Sequence, residues 1–387
     1  MMDESQDSRK RTKYLDIVEG LRTDLGSGKY RPGARLPSEA ELVRKFAVSR
    51  MTVVKAIQQL QQEGLVSRRP GSGTYASGKA TEENRVFGLL IPDLGQTEIF
   101  EPICRGMMRS PSVKTHSLSW GHARSNAEHK EEEAEHLCNN YIEQGVAGVF
   151  FAPLEFTPHH DEVNERILGN LNKARIPVVL LDRDYPMYPG RSTYDVVSLD
   201  HHRAGYTVTA HLIQKGAKRI AFFARPHSAQ TVNQRIVGYR EALFTNALPV
   251  SKDLVIWGDP SDVEVVESVL RTRPDAIMCA NDDTAANLMK SMIGMGVRIP
   301  EDVRLAGIDD VRYASLLPIP LTTLHQPCEQ IGSAAISAML DRVNQPHLPP
   351  RSILLDGHLV VRSSCGNGVQ PLSQNTEPHT SRKHRAS

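Results

Sequence analysis

The polar residues best suited to ligand chemistry stand directly after short apolar runs. Asp182 and Arg183 follow VVLL, Asn281 follows IMCA, Asp309 follows LAGI, and Asp93 follows VFGLLIP. Such runs are typical of buried parallel strands, and ligands of parallel α/β folds bind outside the carboxyl ends of the strands. Carboxylates and amides gathered there suit the hydroxyl groups of a ligand. Each residue alone is equally typical of a helix cap, so it is their convergence that indicates a binding site.

Metal and enzyme chemistry find less support in the sequence. His159 and His160 are adjacent, as are His201 and His202, so the side chains of each pair point apart and no third ligand is spaced to join them. The acid pairs at 282–283 and 309–310 diverge for the same reason, which disfavours a glycosidase. The sequence has no phosphate-binding glycine loop and no nucleophile elbow. We therefore expect no metal, no cofactor and no enzymatic activity.

Strand-like and helix-like segments alternate between residues 86 and 365 and would position these polar residues. The strand-like runs are VFGLLIP, VAGVFFAP, IPVVLLD, DVVSLD, RIAFFA, DAIMCA and RLAGID. Helix-like stretches lie between them, at 134–144, 203–216, 235–245, 262–271 and 284–295. This alternation predicts βαβ units and parallel sheets. Because the region is longer than one sheet normally needs, we expect an α/β domain of two lobes over residues 86–365.

Residues 36–75 have the pattern of a winged helix–turn–helix. Ser38 and Glu41 form a capping box at the start of one short helix, and Ser49 is a good N-cap for a second helix. Three apolar residues of the second helix recur at helical spacing and should face a core: Val53, Ile57 and Leu60. Residues 65–69 and 74–76 read as two strands joined by a Pro-Gly-Ser-Gly turn.

The polar face of the second helix and the basic hairpin predict contacts with DNA. A helix of this kind enters the major groove, while a neighbouring hairpin touches the flanking backbone. The residues that we predict to contact DNA are Ser38, Ser49, Arg50, Thr52, Lys55, Arg69, Gly71 and Ser72. The alternative is a small helical domain whose charges are only solvated.

Residues 13–77 resemble the DNA-binding domain of GntR-type bacterial regulators. The segments PGARLPSEAEL, VSRMTV, QQEGLV and RRPGSGTY carry the resemblance, in order and at the expected spacing. It implies a winged helix–turn–helix that binds an operator. Ala40 and Val54 stand where that family frequently has basic residues that reach DNA, so Arg50 and Lys55 carry more of the contact here.

Residues 86–365 resemble the effector-binding domain of LacI/GalR-type repressors, which is built like periplasmic sugar-binding proteins. The segments PVVLLDRD, VSLDHHRAGYTVTAHLIQKGAKRIAFF, QRIVGYREAL, LPIPLTTLHQP and the long run from PDAIMCANDD to RLAGIDD carry it. The resemblance implies that the effector contacts are Phe100, Asp182, Arg235, Asn281, Asp309 and Gln326. A GntR-type head on such a domain resembles the arrangement of AraR-type regulators.

Charge and cysteine usage agree with a DNA-binding head on a cytoplasmic sensor. Residues 1–80 hold 15 Lys and Arg against 9 Asp and Glu, a net charge of +6, whereas the whole chain carries only +1. The five cysteines are scattered and never spaced as C-x-x-C, which favours a reducing cytoplasm over a disulfide framework or a zinc site. The N-terminal residues lack the apolar core of a signal peptide, and no apolar run is long enough to span a membrane.

The sequence therefore predicts five segments and one function. We expect disorder at 1–12, the DNA-binding domain at 13–77, a linker at 78–85, the effector domain at 86–365 and a disordered tail at 366–387. The predicted function is that of a homodimeric repressor whose operator binding is controlled by a small sugar or sugar derivative. Two-fold protein symmetry suits a palindromic operator. The alternative is a sugar-binding protein of the periplasmic type without a role on DNA.

The basic head generates a prediction about salt. Because several Lys and Arg residues should neutralise phosphates, DNA binding should release counterions. Operator affinity, measured by fluorescence anisotropy, should therefore fall steeply from low to physiological salt. A nearly flat dependence would contradict the proposed basic interface.

Overall fold

The computed structural model describes residues 4–26, 29–31, 33–69, 72–77, 85–92, 98–113, 115–121 and 129–366. The chain divides into two units, which we call the head and the body. The head spans residues 1–86 together with 114–117, and the body spans 87–113 and 118–387. Among the described residues, no helix combines the length and the apolar character that a membrane span requires.

The head is a winged helix–turn–helix. Its elements are α1 (Glu4–Gly26), α2 (Glu39–Phe46), α3 (Arg50–Gln62), β1 (Val66–Arg69) and β2 (Gly73–Ala76). The two strands pair in antiparallel register and form the wing. The apolar positions predicted on α3 are buried against α1 and α2, in a core that includes Ile17, Leu21, Leu42, Val53, Ile57 and Leu60. Both predicted caps are present, because Ser38 and Ser49 accept hydrogen bonds from the amides at the starts of α2 and α3.

The prediction of disorder at the N terminus is wrong from Glu4 onward, because α1 begins there. Residues 4–12 are rich in Glu, Gln, Lys and Arg, which are good helix formers. Once the apolar turns after Tyr14 have nucleated a helix, each further residue adds one hydrogen bond, so the helix extends backwards. The segments at 78–84 and 367–387, predicted as linker and tail, lie outside the described residues, as do Gly71 and Asp93.

The central strands of the first lobe are buried on both faces, as their apolar character predicts. Its elements up to residue 199 are β3 (Val86–Leu90), α4 (Phe100–Arg109), β4 (Ser117–Trp120), α5 (Lys130–Gln144), β5 (Gly148–Phe151), α6 (His160–Lys173), β6 (Val178–Leu181) and β7 (Asp195–Leu199). Every residue of β5, β6 and β7 is buried. The strands therefore form the middle layer between helices on both faces.

The chain then crosses to the second lobe, which repeats the same plan. Its elements are α7 (His201–Gln214), β8 (Ile220–Ala224), α8 (Thr231–Thr245), β9 (Val255–Trp257), α9 (Val263–Arg271), β10 (Ala276–Cys279), α10 (Asp282–Gly294), β11 (Arg304–Asp309) and β12 (Thr322–His325). Polar side chains cap three of these helices, and one of them, Asn281, was predicted at a strand end. The side chains of Asp200, Asp262 and Asn281 accept backbone hydrogen bonds at the starts of α7, α9 and α10.

Three crossings of the chain join the two lobes. After the passage from β7 to α7, the chain returns from β12 to α11 (Cys328–Asn344) and β13 (Ser352–Leu355), and crosses again to β14 (His358–Val360). The first sheet has the strand order β13-β7-β6-β5-β3-β4 and the second has the order β14-β12-β11-β10-β8-β9. The pair β12–β14 is antiparallel, whereas the other body pairs of defined register are parallel. The prediction of a two-lobed α/β domain is confirmed.

Glycines allow one pair of helices in each lobe to pack backbone against backbone. A Cβ atom on Gly106 of α4 would lie 2.0 Å from the carbonyl oxygen of Glu329 on α11, and one on Gly332 of α11 would lie 2.0 Å from that of Ile103. In the second lobe, Gly205 and Gly238 allow the same close packing between α7 and α8. These contacts fix how the helices of the crossing chain lie on each sheet.

This close packing predicts opposite effects of alanine at two helical glycines of the first lobe. Gly332→Ala should lower the free energy of unfolding by about 1–3 kcal/mol, because the new methyl group meets a carbonyl oxygen that cannot move alone. Gly169→Ala on α6 is the matched control, since its Cβ would meet nothing within 4 Å. The control should be neutral or gain about 0.5–1 kcal/mol of stability from reduced backbone freedom. Equal urea midpoints for the two variants would contradict the packing described.

Candidate functional site

The exposed start of α3 carries a basic cluster held by an acid of α2. Arg50 is largely exposed, and its Nε lies 3.0 Å from Oε2 of Glu39. Arg68 of the wing pairs with the other oxygen of the same carboxylate. One glutamate thus fixes a guanidinium from α3 and one from the wing on the same side of the head. This arrangement brings together two of the elements that the sequence predicted to face DNA.

The remaining predicted DNA contacts divide into caps and free polar groups. Ser49 Oγ accepts from Thr52 N at 3.3 Å and lies 2.8 Å from Thr52 Oγ1, while Ser38 completes its capping box with Glu41. Lys55 is exposed on the same helix. These serines therefore have a capping role in the structure, and their contact with DNA stays a prediction.

The wing is stiffened by an aromatic side chain. The guanidinium of Arg69 lies 4.8 Å from the centre of the Tyr75 ring, and Ser72 Oγ is 2.6 Å from the hydroxyl of Tyr75. Arg69 and Ser72, the predicted DNA contacts in the described part of the wing, thus both contact Tyr75. The cation–π contact keeps the arginine charge near the tip of the hairpin.

In the body, four predicted effector residues meet between the lobes at the carboxyl ends of the strands. Asp182 follows β6 of the first lobe, and its Oδ1 accepts from Nε2 of Gln326 at 2.8 Å. Gln326 stands at the crossing from β12 to α11, so this contact ties the crossing to the first lobe. Arg235 on α8 and Asp309 at the end of β11 contribute from the second lobe, with 3.7 Å between Arg235 NH2 and Asp309 Oδ1.

A buried histidine connects Arg235 with Asp182. Arg235 Nε donates to His201 Nδ1 at 3.2 Å, and His201 Nε2 lies 3.0 Å from the carbonyl oxygen of Asp182. This geometry requires a neutral ring that carries its proton on Nε2 and donates it to the carbonyl. Burial, followed by the charge of Arg235, lowers the pKa of His201 from 6.5 to about 4. The histidine is therefore a fixed neutral link in the site.

Two buried acceptors of the site have no hydrogen-bond donor among the described residues. They are Oδ1 of Asp309 and Oε1 of Gln326. The guanidinium of Arg235 attracts Asp309 from beyond hydrogen-bond distance, because it donates instead to His201 and to the carbonyl oxygen of Ala280. Burial raises the pKa of Asp309 well above its usual value, although Arg235 opposes the shift. Both oxygens would be stabilised by a ligand that donates hydrogen bonds.

A cavity of about 500 Å³ opens beside these two acceptors. Its walls come from the start of α4, the loop after β11 and the start of α11. The lining residues are Glu98, Ile99, Glu101, Pro102, Arg105, Asp309, Asp310, Val311, Arg312, His325, Gln326, Cys328, Glu329 and Gln330. Phe100, Asp182, Arg235 and Asn281 are not among them, so the cavity covers only part of the predicted site.

Two charged residues of the cleft, Arg183 and Glu155, were not among the predicted effector contacts, although the sequence placed Arg183 at a strand end. Arg183 is buried, pairs with the carboxylate of Glu155, and lies with its guanidinium 5.4 Å from the centre of the Phe100 ring. Glu155 in turn accepts from the amide of Ala229 in the second lobe at 3.0 Å. Arg183 was within reach of the strand-end rule, because it follows Asp182 directly. Glu155 stands four residues after β5, and the rule selects only residues that directly follow a strand.

Asn281 caps a helix, as the alternative interpretation of a polar residue at a strand end predicts. Its Oδ1 accepts from Thr284 N at 2.9 Å and caps α10. Its contact with an effector therefore stays a prediction. Within the described residues, no group of three or more His, Cys, Asp or Glu side chains is arranged to hold a metal ion.

Comparison with known proteins finds relatives for both units. The family model of bacterial regulatory proteins of the gntR family matches residues 13–76, and that of the periplasmic binding protein-like domain matches residues 209–365. The arabinose metabolism transcriptional repressor of Geobacillus stearothermophilus is 26% identical over 365 residues, which cover 91% of this chain and 97% of that protein. The HTH-type transcriptional repressor PurR of Aliivibrio salmonicida is 25% identical over 318 residues, covering 81% and 91%. Among solved structures, a complex of the transcriptional regulator CelR with cellobiose has a TM-score of 0.62 at 25% identity and covers 82% of this chain and 91% of that chain.

The neutral state of His201 predicts a contribution to acid unfolding. Its pKa falls from 6.5 to about 4 in the fold, so the unfolded chain takes up the proton first as the pH drops. The contribution is complete above pH 6.5 and is lost towards pH 4, by about 3 kcal/mol in total. In urea unfolding at several pH values, His201→Gln should lack this loss. His202→Gln, at the half-buried neighbouring position where the ring pairs with Glu241, is the control and should follow the wild type. Parallel profiles for all three proteins would contradict the buried neutral histidine.

Proposed function

We propose that this chain is a repressor controlled by a sugar, because it joins a gntR-family helix–turn–helix domain to a periplasmic-binding-protein-like domain. The head binds an operator, and the cleft of the body binds the effector. The gntR match at residues 13–76 opposes the alternative of a sugar-binding protein without a role on DNA. The relatives compared above carry names of transcriptional repressors, which agrees with a regulator rather than an enzyme.

The basic cluster at the start of α3 supports the operator contact. Arg50 and Arg68 share one glutamate, so the helix and the wing present their charges together. We infer that Arg50 and Thr52 lie at the groove and that the wing arginines hold the phosphate backbone. Only base contacts carry sequence preference, so the start of α3 would set specificity and the wing would set affinity.

The pair of unsatisfied acceptors is the observation that carries the proposal for the effector. Asp309 and Gln326 offer buried oxygens that need donors, while Arg235 offers a rigid fork of donors close by. A sugar presents hydroxyl groups that both donate and accept, so one molecule can satisfy both kinds of partner. The ring of Phe100 lies under the guanidinium of Arg183, and we infer that it contributes an apolar surface to the cleft.

L-Arabinose is our first candidate for the effector. The name of the Geobacillus relative places that protein in arabinose metabolism, and the alignment covers nearly the whole of both chains. The structure of CelR, which is similar to this chain, is a complex with cellobiose. We therefore infer a sugar as the class of ligand, with a pentose tested before larger sugars.

We also propose that the protein acts as a homodimer in the cytoplasm. One small head buries too little surface to be highly specific, whereas two heads related by a two-fold axis read two half-sites. The five cysteines are free in the structure, which agrees with a reducing compartment.

A substitution at Asp309 separates binding from stability better than one at Arg235. Arg235→Ala would leave Asp309 and His201 without their shared partner, so it would weaken the fold and the site together. Asp309→Asn keeps the shape and removes a desolvated carboxylate. We therefore expect an unchanged or higher melting temperature without ligand, and an affinity for L-arabinose lowered by about 10- to 100-fold.

The matched control is Asp283→Asn, a partly exposed neighbour paired with Arg225. It should leave the affinity for L-arabinose, measured by calorimetry, at the wild-type value. A wild-type affinity in folded Asp309→Asn would remove Asp309 from the effector site. Absence of binding in the wild-type protein would instead reject L-arabinose, and the same titration would then be repeated with cellobiose.

A further inference from the structure

A fully buried carboxyl group lies beneath the turn that follows β11. Asp282, the first residue of α10, has no exposed surface. Its Oδ1 accepts from Oγ1 of Thr323 on β12 at 2.6 Å, and its Oδ2 accepts from the amide of Val311 at 3.1 Å. The carboxyl group thus joins a helix, a neighbouring strand and the turn, although it does not line the cavity itself.

The turn at residues 309–312 has an unfavourable backbone conformation. Asp309 has a φ of 126° and Asp310 a φ of 56°, both in the region that favours glycine. Such a conformation persists only where surrounding contacts determine it. Asp310 N donates to Thr323 Oγ1 at 3.3 Å, so the same threonine that contacts Asp282 also holds the turn.

This turn serves the cleft in two ways. It carries the carboxylate of Asp309, one of the two acceptors that await a donor. It also reaches the first lobe, because the amide of Arg312 donates to Oε2 of Glu98 at 2.7 Å. A shift of the turn would therefore displace an effector contact and break a contact between the lobes.

The space for the carboxyl group is reserved by a glycine. A Cβ atom on Gly307 of β11 would lie 2.2 Å from Oδ1 of Asp282. Any other residue at 307 would push the carboxyl group away from Thr323 and Val311. Gly307→Ala is therefore an independent way to disturb the same hydrogen bonds.

We propose that Asp282 is a positioning residue of the effector site. Its hydrogen bonds stabilise the strained turn. The turn then positions Asp309 in the cleft and keeps the amide of Arg312 bonded to Glu98. This inference rests on the proposed function only for the identity of the ligand, since the hold on the turn is a property of the protein alone.

The protonation state of Asp282 should change how strongly its hydrogen bonds stabilise the turn at residues 309–312. Burial raises its pKa to about 7, and the charge of Asp310 adds to the shift, whereas the hydrogen bonds from Thr323 and Val311 oppose it. The ionisable groups around it are Cys279 on β10, Asp283 on α10, Asp309 and Asp310 in the turn, Tyr313 beyond it, and His325 and Arg362, which contact Asp310. Because the folded pKa is raised from 3.8, the neutral form is favoured in the fold. Its stabilisation is complete below about pH 4 and is lost as the pH rises to about 7.

Amide hydrogen exchange of the full-length protein without ligand tests the hold directly. Asp282→Ala should raise exchange in the peptide covering residues 309–312 by about tenfold or more, because both hydrogen bonds are lost. Asp282→Asn can still accept from Val311 and donate to Thr323, so it should keep the protection. Asp283→Ala, next to it on α10, is the matched control and should leave the turn unchanged.

Two further measurements separate positioning from a general loss of stability. Between pH 5 and pH 7 the wild-type turn should lose protection relative to the rest of the second lobe, whereas Asp282→Asn should not. The affinity for L-arabinose, used as the probe, should fall in Asp282→Ala and be restored in Asp282→Asn. Should Asp282→Ala fail to fold, Gly307→Ala displaces the carboxyl group of Asp282 and gives the same comparison.

Wild-type protection of residues 309–312 in folded Asp282→Ala, or in folded Gly307→Ala, would overturn the proposal. Identical pH profiles for the wild type and Asp282→Asn would overturn the role of protonation. A loosened turn with unchanged L-arabinose affinity would show that the hold does not serve the effector site. If the wild type does not bind L-arabinose, the proposed effector fails, while the exchange data still decide the role of Asp282.

Discussion

The body depends on one buried polar chain that runs between its lobes, from Arg235 through His201 to Asp182 and Gln326. Desolvated charges are tolerated only when each has a partner, so the chain fixes how the strand ends of the two lobes face each other. His201 can link a guanidinium to a carbonyl because burial keeps it neutral. Among the described residues, Oδ1 of Asp309 and Oε1 of Gln326 have no hydrogen-bond donor, which is the chemical reason for expecting a ligand beside this series of contacts.

Contacts between the lobes flank this polar chain. Phe156 N donates to the carbonyl oxygen of His227 at 2.7 Å, and the turn after β11 reaches Glu98. Closure of two lobes on a ligand is a general way to couple binding to a change of shape. A ligand that supplies donors to the free acceptors binds the closed arrangement better, and only such a difference in affinity can shift the equilibrium between arrangements. This is how a sugar in the cleft would control the DNA-binding unit.

The sequence predicted the elements far better than the partners of the polar residues. The buried strands were evident because they are apolar throughout, and the head because its caps and apolar spacing are local signals. The strand-end rule selected Asp182 and Asp309, which have polar contacts between the lobes, but it could not distinguish Asn281 as a cap from a ligand contact. Glu155 was missed because its role arises from Arg183 and Ala229, which are distant in sequence. The helix at residues 4–12 was missed because composition alone favoured a solvated segment.

Control of DNA binding by the ligand of the cleft is the central claim, and one titration tests it most directly. Full-length protein would be titrated onto a fluorescent duplex from the region upstream of its own gene, with and without saturating L-arabinose, at constant salt. A coupling free energy of typical size, about 1–3 kcal/mol, would change the apparent Kd by roughly 5- to 150-fold. The account predicts a change in this range. An unchanged Kd, with the sugar shown by calorimetry to be bound, would contradict it.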